Sequence, residues 1–269
     1  YNQSQYSRSI NIKSYFQVIK LFINLFSIIV IISILIDESP FYLLSGIGAL
    51  TAVLMLVFKD TILSFVSSIQ ISSNDLFKVG DWVEAPQFGA DGDVKDIALH
   101  TVKIQNWDKT ISIIPTHKLI DSSFKNWKGM SDSGGRRIKR SIYIDMNSIK
   151  FCDHQMLDTY KSITLLTDYI HDKISDISKY NTSKDIDKSD INGRALTNIG
   201  TYRAYIKAYL KDNVNIHKDM TFLVRQLSPT ERGLPIEIYV FSNNTDWIEY
   251  EEIQSDIFDH LIAASSQFC

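Results

Sequence analysis

Residues 41–58 read FYLLSGIGALTAVLMLVF, eighteen consecutive residues without a charge. A helix crossing a bilayer core of roughly 30 Å needs about 20 apolar residues, so this stretch nearly spans one unaided. Just upstream, residues 21–36 read LFINLFSIIVIISILI, sixteen more uncharged residues in which Asn24 is the only strongly polar member. Extended back through Tyr15–Ile19 this run also reaches span length, and Lys20 then lies near one end, where its stem can snorkel to the headgroups. Only Asp37-Glu38-Ser39-Pro40 separates the two runs. Two such runs could be buried core helices of a soluble domain, but their length and spacing favour a membrane hairpin with spans at about 15–36 and 41–58. Arg8, Lys13 and Lys20 flank the first span and Lys59 follows the second, while the linking turn carries no Lys or Arg. The positive-inside rule then puts both basic flanks, and everything after Lys59, in the cytoplasm.

The second span is more than an anchor. Ser45, Gly48, Ala49 and Ala52 place small residues three and four apart, stripping bulk from a helix face so that neighbouring backbones can approach in lipid. Such a face serves either packing within one subunit or a ring of identical helices around a pore. Gly46-Ile47-Gly48 has no preceding strand, and Thr51 stands where a phosphate-binding loop needs its third glycine. Beyond the span, Ile62, Phe65, Val66 and Ile69 recur at helical spacing, with Asp60, Thr61, Ser64, Ser67 and Ser68 on the other face. Asp60 is a natural N-cap, so a break at Lys59–Asp60 followed by a separate amphipathic helix over 60–71 is expected. One continuous helix is the alternative.

From residue 72 the periodicity changes to two. Val94–Gln105 and Thr110–Pro115 alternate and are rich in Val, Ile and Thr, joined by Asn106-Trp107-Asp108-Lys109, while Phe88–Gly92 gives a further turn signal. Asp91 and Asp93 lack the remaining residues of a calcium loop and are expected to be turn residues. A small β-barrel or sandwich domain over 72–130 follows. Over 131–269 an α+β domain of ferredoxin-like type is expected. Its strands are predicted at Arg136–Asp145, Gly200–Lys211 and Pro235–Phe241, its helices at Met156–Ile177, Ile216–Gln226 and Trp247–Ala264, and a polar connector at Tyr180–Asn198.

The bulk numbers restrict function. Net charge is −3, from 28 basic and 31 acidic residues, which gives no concentrated basic surface for nucleic acid. Cys152 and Cys269 are too few and too distant for a disulfide framework or zinc site, and suit a reducing compartment. No H-x-x-x-H or G-x-S-x-G motif occurs. Cys152-Asp153-His154 reads as a strand-to-helix corner, and the cluster Arg136, Arg137, Lys139, Arg140 as a solvated strand or, more specifically, a ring of charge biasing ion entry. No enzyme activity, metal or cofactor is expected.

Phe77-Lys78-Val79-Gly80-Asp81-Trp82-Val83 resembles the F-x-x-G-D-x-V strand entry of the small-conductance mechanosensitive (MscS-like) channel family. Ile114-Pro115-Thr116-His117-Lys118-Leu119-Ile120 and the later Phe124-Lys125-Asn126-Trp127 are similar to that family's I-P-N segment and following N-[WFY]. Gly89–Val94, Gln105–Thr110 and Gly134–Arg140 further resemble a subgroup related to the miniconductance channel of enteric bacteria. Thr116 replaces the family's usual Asn, and Asp60 stands about where many members have the glycine at which the pore helix bends.

The resemblance covers roughly 41–269 and implies a homoheptamer in the bacterial inner membrane, with a hollow cytoplasmic vestibule, that passes ions under membrane tension and protects against hypo-osmotic shock. It implies a pore constriction at Ala52, Met55 and Leu56, helix packing through Ser45, Gly48 and Ala49, a hinge at Lys59 and Asp60, and motif positions Gly80, Asp81, Pro115 and Asn126. The bilayer, permeating ions and other copies of the chain are then its partners, and a non-conducting membrane scaffold is the rival reading.

Overall fold

The computed structural model describes residues 12–186 and 191–269, with side chains from residue 16 onward. Arg8, used above to orient the spans, lies outside the described residues. The chain divides into two compact units, residues 1–126 and 127–269.

The first unit begins with α1 (Ile12–Leu35) and α2 (Pro40–Ser73). Both are long and apolar enough to cross a bilayer. Among the described residues of α1 only Ile29 and Ser33 are buried. Soluble helices bury an apolar stripe, so this exposure suits a lipid solvent. Ser39 caps α2, its Oγ accepting from the N–H of Phe41 at 3.3 Å, and Pro40 occupies the first turn, where a missing N–H costs nothing.

The break expected at Lys59–Asp60 is absent. α2 continues through both residues to Ser73 as one helix of 34 residues. Neither proline nor glycine interrupts residues 59–61, and Asp60 is exposed, so its carboxylate can be solvated without capping a new helix. At 1.5 Å per residue α2 is about 50 Å long, well beyond the roughly 30 Å hydrocarbon core.

After α2 come β1 (Trp82–Ala85), β2 (Ala90–Ile97), β3 (Thr101–Asn106), β4 (Ile111–Pro115), the short α3 (Thr116–Asp121) and β5 (Lys125–Asn126). All pairings are antiparallel, in the order β4-β3-β2-β1-β5. Val83, Ala85, Ala90, Val94, Val102, Ile104 and Ile114 alternate inward and pack with Ile71, Phe77 and Leu119. The run Val94–Gln105, read above as one strand, is two, because the chain turns at residues 98–100 and the Ala98 N–H donates to the Thr101 carbonyl. The turn near Phe88 occupies Pro86–Phe88 with Gly89 left-handed at φ 59°. Asp91 and Asp93 therefore lie in β2 rather than in a turn.

The second unit contains α4 (Lys128–Ser133), β6 (Arg136–Ile144), α5 (His154–Lys161), α6 (Thr167–Ser183), α7 (Asn198–Asp212), β7 (Leu223–Gln226), β8 (Leu234–Ser242) and α8 (Trp247–Ser265). Its antiparallel sheet has the order β6-β8-β7. Two predicted elements are corrected. Gly200–Lys211 is helical: Tyr202, Tyr205, Ile206 and Leu210 are buried, and a three–four spacing mimics alternation when alanines fill the gaps. The helix predicted at Ile216–Gln226 is an irregular segment leading into β7, where Leu223–Gln226 pairs with Ile236–Tyr239. Sheet pairing overrides the local preference there. The predicted Met156–Ile177 helix is interrupted by a 3₁₀ turn at Thr164–Leu166.

Candidate functional site: the long helix and the motif latch beneath it

Ser45, Gly48, Ala49, Ala52, Met55 and Leu56 fall at helical spacing on one face of α2. That face is open. A side chain at Gly46 or Gly48 would meet nothing within 4 Å, and Met55 and Leu56 are 65% and 76% exposed. The polar groups on and beside that face are satisfied within the helix: Ser45 Oγ donates to the Phe41 carbonyl at 2.7 Å and Thr51 Oγ1 to that of Ile47 at 2.7 Å. Such back-bonding removes the cost of a hydroxyl in hydrocarbon, so the face is small and dry.

The lower third of α2 reverses the expected amphipathicity. The polar side is buried, with Ser64, Ser67 and Ile71 the buried residues of the helix. Ser64 Oγ lies 3.0 Å from His117 Nδ1 of α3, and Ser68 Oγ donates to the Leu99 carbonyl at 3.0 Å. The apolar stripe Ile62, Phe65, Val66, Ile69 is 43–51% exposed. Serines dock because their short side chains allow close approach and their hydroxyls find partners. His117 went unrecognised in the sequence. A polar stripe opposite an apolar one is as compatible with docking as with solvation, and only its partner decides.

The motif residues form a latch. Gly80 has φ +95°, a backbone region that favours glycine, and its N–H donates to the Val94 carbonyl at 2.8 Å. Asp81 Oδ2 accepts from the Lys78 N–H at 2.9 Å and from Asn126 Nδ2 at 3.1 Å. Asn126 Nδ2 also donates to the Leu76 carbonyl at 3.0 Å. Phe77 and Phe124 meet edge to face at 5.3 Å. The motif thus ties the exit of α2 to β1 and β5. Pro115 stands apart, ending β4 and leading into α3. Asp91, expected from the sequence to be a turn residue, instead joins two indoles. Its Oδ1 accepts from the indole N–H groups of Trp82 at 2.7 Å and Trp107 at 3.2 Å, the two rings meeting at 5.2 Å.

In the second unit, Arg136, Arg137 and Arg140 lie over the rings of Tyr250, Tyr239 and Phe258 at 4.5, 5.6 and 4.6 Å. Lys139 approaches Glu237 at 4.0 Å. Asp153 caps α5, accepting from the Met156 N–H at 2.8 Å, and burial pushes the neighbouring Cys152 thiol up from its ordinary pKa. Among the described residues no cluster of three His, Cys, Asp or Glu side chains could hold a metal.

Residues 60–129 match the family described as the β-domain of mechanosensitive ion channels. In that domain the chain is similar to MscS-like mechanosensitive channels. It is 32% identical over 106 residues to the small-conductance mechanosensitive channel MscMJ of Methanocaldococcus jannaschii, a match covering 39% of this chain and 29% of that protein. It is 22% identical over 217 residues to the low conductance mechanosensitive channel YnaI of Escherichia coli, covering 81% of this chain and 48% of that one. The chain thus spans less than half the length of either relative. The closed-state structure of Helicobacter pylori MscS shares the fold at TM-score 0.53 and 16% identity, covering 96% of this chain and 82% of that one.

Proposed function

We propose that this chain forms the pore-lining helix and cytoplasmic part of an ion channel opened by membrane tension. The reading places it in a bacterial inner membrane as a homoheptamer, in the subgroup related to the miniconductance channel of enteric bacteria, with the domains after α2 cytoplasmic. The observation that carries the reading is the unpartnered small-residue face of α2, continuous with the exposed Met55 and Leu56. Identical helices packed through Ser45, Gly48 and Ala49 bring Ala52, Met55 and Leu56 to a common axis, where apolar side chains make a constriction too dry for ions.

Tension favours whichever state occupies more membrane area, and acts only through that difference. Ser64, Ser67 and Ile71 hold the lower end of α2 on the β domain. Tilt of the upper part therefore concentrates at Lys59–Asp60 and the following turn, between the span and the docked face.

The test is patch recording of the protein in liposomes under graded suction. Discrete openings that rise with tension are the expected result, and silence up to rupture from a verified oligomer refutes it. Leu56→Ser wets the constriction and lowers the opening threshold. An unchanged threshold removes Leu56 from the gate.

A further inference from the structure

The second unit carries two oppositely charged faces on different flanks. Between α6, α7 and β7 lies a groove of about 450 Å³ lined by Lys173, Arg203, Lys207 and Lys211, with Ala204 and Ala208 on its floor. Arg203, Lys207 and Lys211 recur every four residues and stack on one side of α7. All four cations are exposed, and among the described residues no acidic side chain lines the groove. Among the described residues none of the four forms an ion pair. The groove occupies the flank of α7 turned away from α8, because Tyr205 and Tyr209 on the other flank meet His260 of α8.

The outer face of α8 is its counterpart. Glu251, Glu252 and Asp256 line a shallow concavity there beside Trp247 and Ile248, and Ile248 is 72% exposed. Gln254 donates to Glu251, yet among the described residues none of the three acids has an ion-pair partner. The buried residues of the same helix, among them Tyr250, Ile253, Gln254, Ile257 and Phe258, occupy its opposite face, so the acids face outward.

We propose that the basic groove of α6–α7 receives the acidic outer face of α8 from a second copy of this chain. The two faces are different patches, so the contact is head-to-tail, and repeated around an axis it closes a ring. Charge complementarity fixes the register and makes wrong docking costly, because it would bring like charges together. The exposed Ile248 adds apolar area at the rim of the acidic face. The inference rests on the oligomeric reading above and deepens it by naming which surfaces of the cytoplasmic part meet.

The test uses the full chain in detergent, with Cys152→Ser and Cys269→Ser removing the native thiols. Lys207→Cys and Glu252→Cys are introduced together, and a flexible bis-maleimide is added. A ladder of covalent multimers is expected when both cysteines are present and only monomer when either is alone. Adding Arg203→Glu with Lys211→Glu cuts the ladder by about tenfold, equivalent to about 1.4 kcal/mol. Adding Glu251→Lys with Asp256→Lys to that variant restores it, an outcome that a folding defect would not give. An oligomer intact by native mass spectrometry but without the ladder overturns the proposal and leaves the channel reading standing. A monomeric mass for the unsubstituted chain refutes the oligomeric reading itself. Tripolyphosphate that binds tightly and leaves no ladder to form would assign the groove to a soluble polyanion, and likewise overturns the proposal.

Discussion

The two units bury their interiors in different currencies. The first packs aliphatic side chains between one sheet and its helices, and among the described residues Phe77 is the only fully buried ring and no tyrosine joins the core. The second buries Tyr160, Tyr202, Tyr205 and Tyr250 together with Phe258 and Phe268. A buried phenol needs a hydrogen-bond partner. Tyr202 donates to the Leu261 carbonyl, Tyr205 meets His260 and Tyr250 donates to the Arg137 carbonyl, while Tyr160 has none among the described residues. An aliphatic core needs only shape and alternation. An aromatic one also needs a polar network, whose members come from distant parts of the chain.

The largest test of the aliphatic side is Gly92→Val. Even a Cβ at Gly92 would lie 1.9 Å from the Gln105 carbonyl oxygen, a backbone atom that cannot step aside. A loss of about 4 kcal/mol is expected, read as collapse of hydrogen-exchange protection in β2 and β3 with the second unit unaffected. Protection retained there would show that the strands can separate at little cost.

On the aromatic side the corresponding hub is Asn198, fully buried at the start of α7. Its Oδ1 accepts from the Lys150 N–H, and its Nδ2 donates to the Ser148 and Phe268 carbonyls. Asn198→Ala leaves those groups unpaired and is expected to cost about 3 kcal/mol, seen as earlier urea unfolding of the second unit alone. A shift common to both units would mean that they unfold together.

A milder probe is alkaline pH. Burial raises the pKa of Tyr160, Tyr169, Tyr202, Tyr205, Tyr209 and Tyr250 above the ordinary value of 10.0. A raised folded-state value means that the stability is fully present below the unfolded pKa and is lost as pH rises through the folded one. The second unit should therefore weaken as pH climbs above 10, while the tyrosine-free core of the first does not follow. Equal weakening of the two, followed by circular dichroism, would break the contrast.

How much could be read in advance tracks the same difference. In the β domain most inward residues alternate and turns are marked by Gly89 and Asn106–Lys109, so extended chain over Val94–Gln105 and Thr110–Pro115 was legible. The error at residues 98–100 arose because Ala98-Leu99-His100 carries no glycine or proline. In the second unit β6, β8 and α8 follow their local patterns. α7 was misread because Tyr202, Ala204, Ile206, Ala208 and Leu210 alternate at two-residue intervals while the buried set also fits a helical period. The latch positions Gly80, Asp81 and Asn126 were recognised by resemblance. Their chemistry, a carboxylate and an amide joining the exit of α2 to two strands, is visible only in space.

The two long apolar helices and the small-residue face of α2 were legible in the sequence alone. These depend on local composition and helical spacing, and need no knowledge of neighbours. Which side of the lower α2 faces inward was decided only by the tertiary structure. Ser64 and Ser68 gain partners in His117 and Leu99 that lie 53 and 31 residues away. A serine's cost of burial depends on whether a partner is present, and no local pattern encodes a partner that distant. The continuity of α2 through Asp60 was likewise settled by the structure, since a carboxylate caps a helix only where the chain has already ended one.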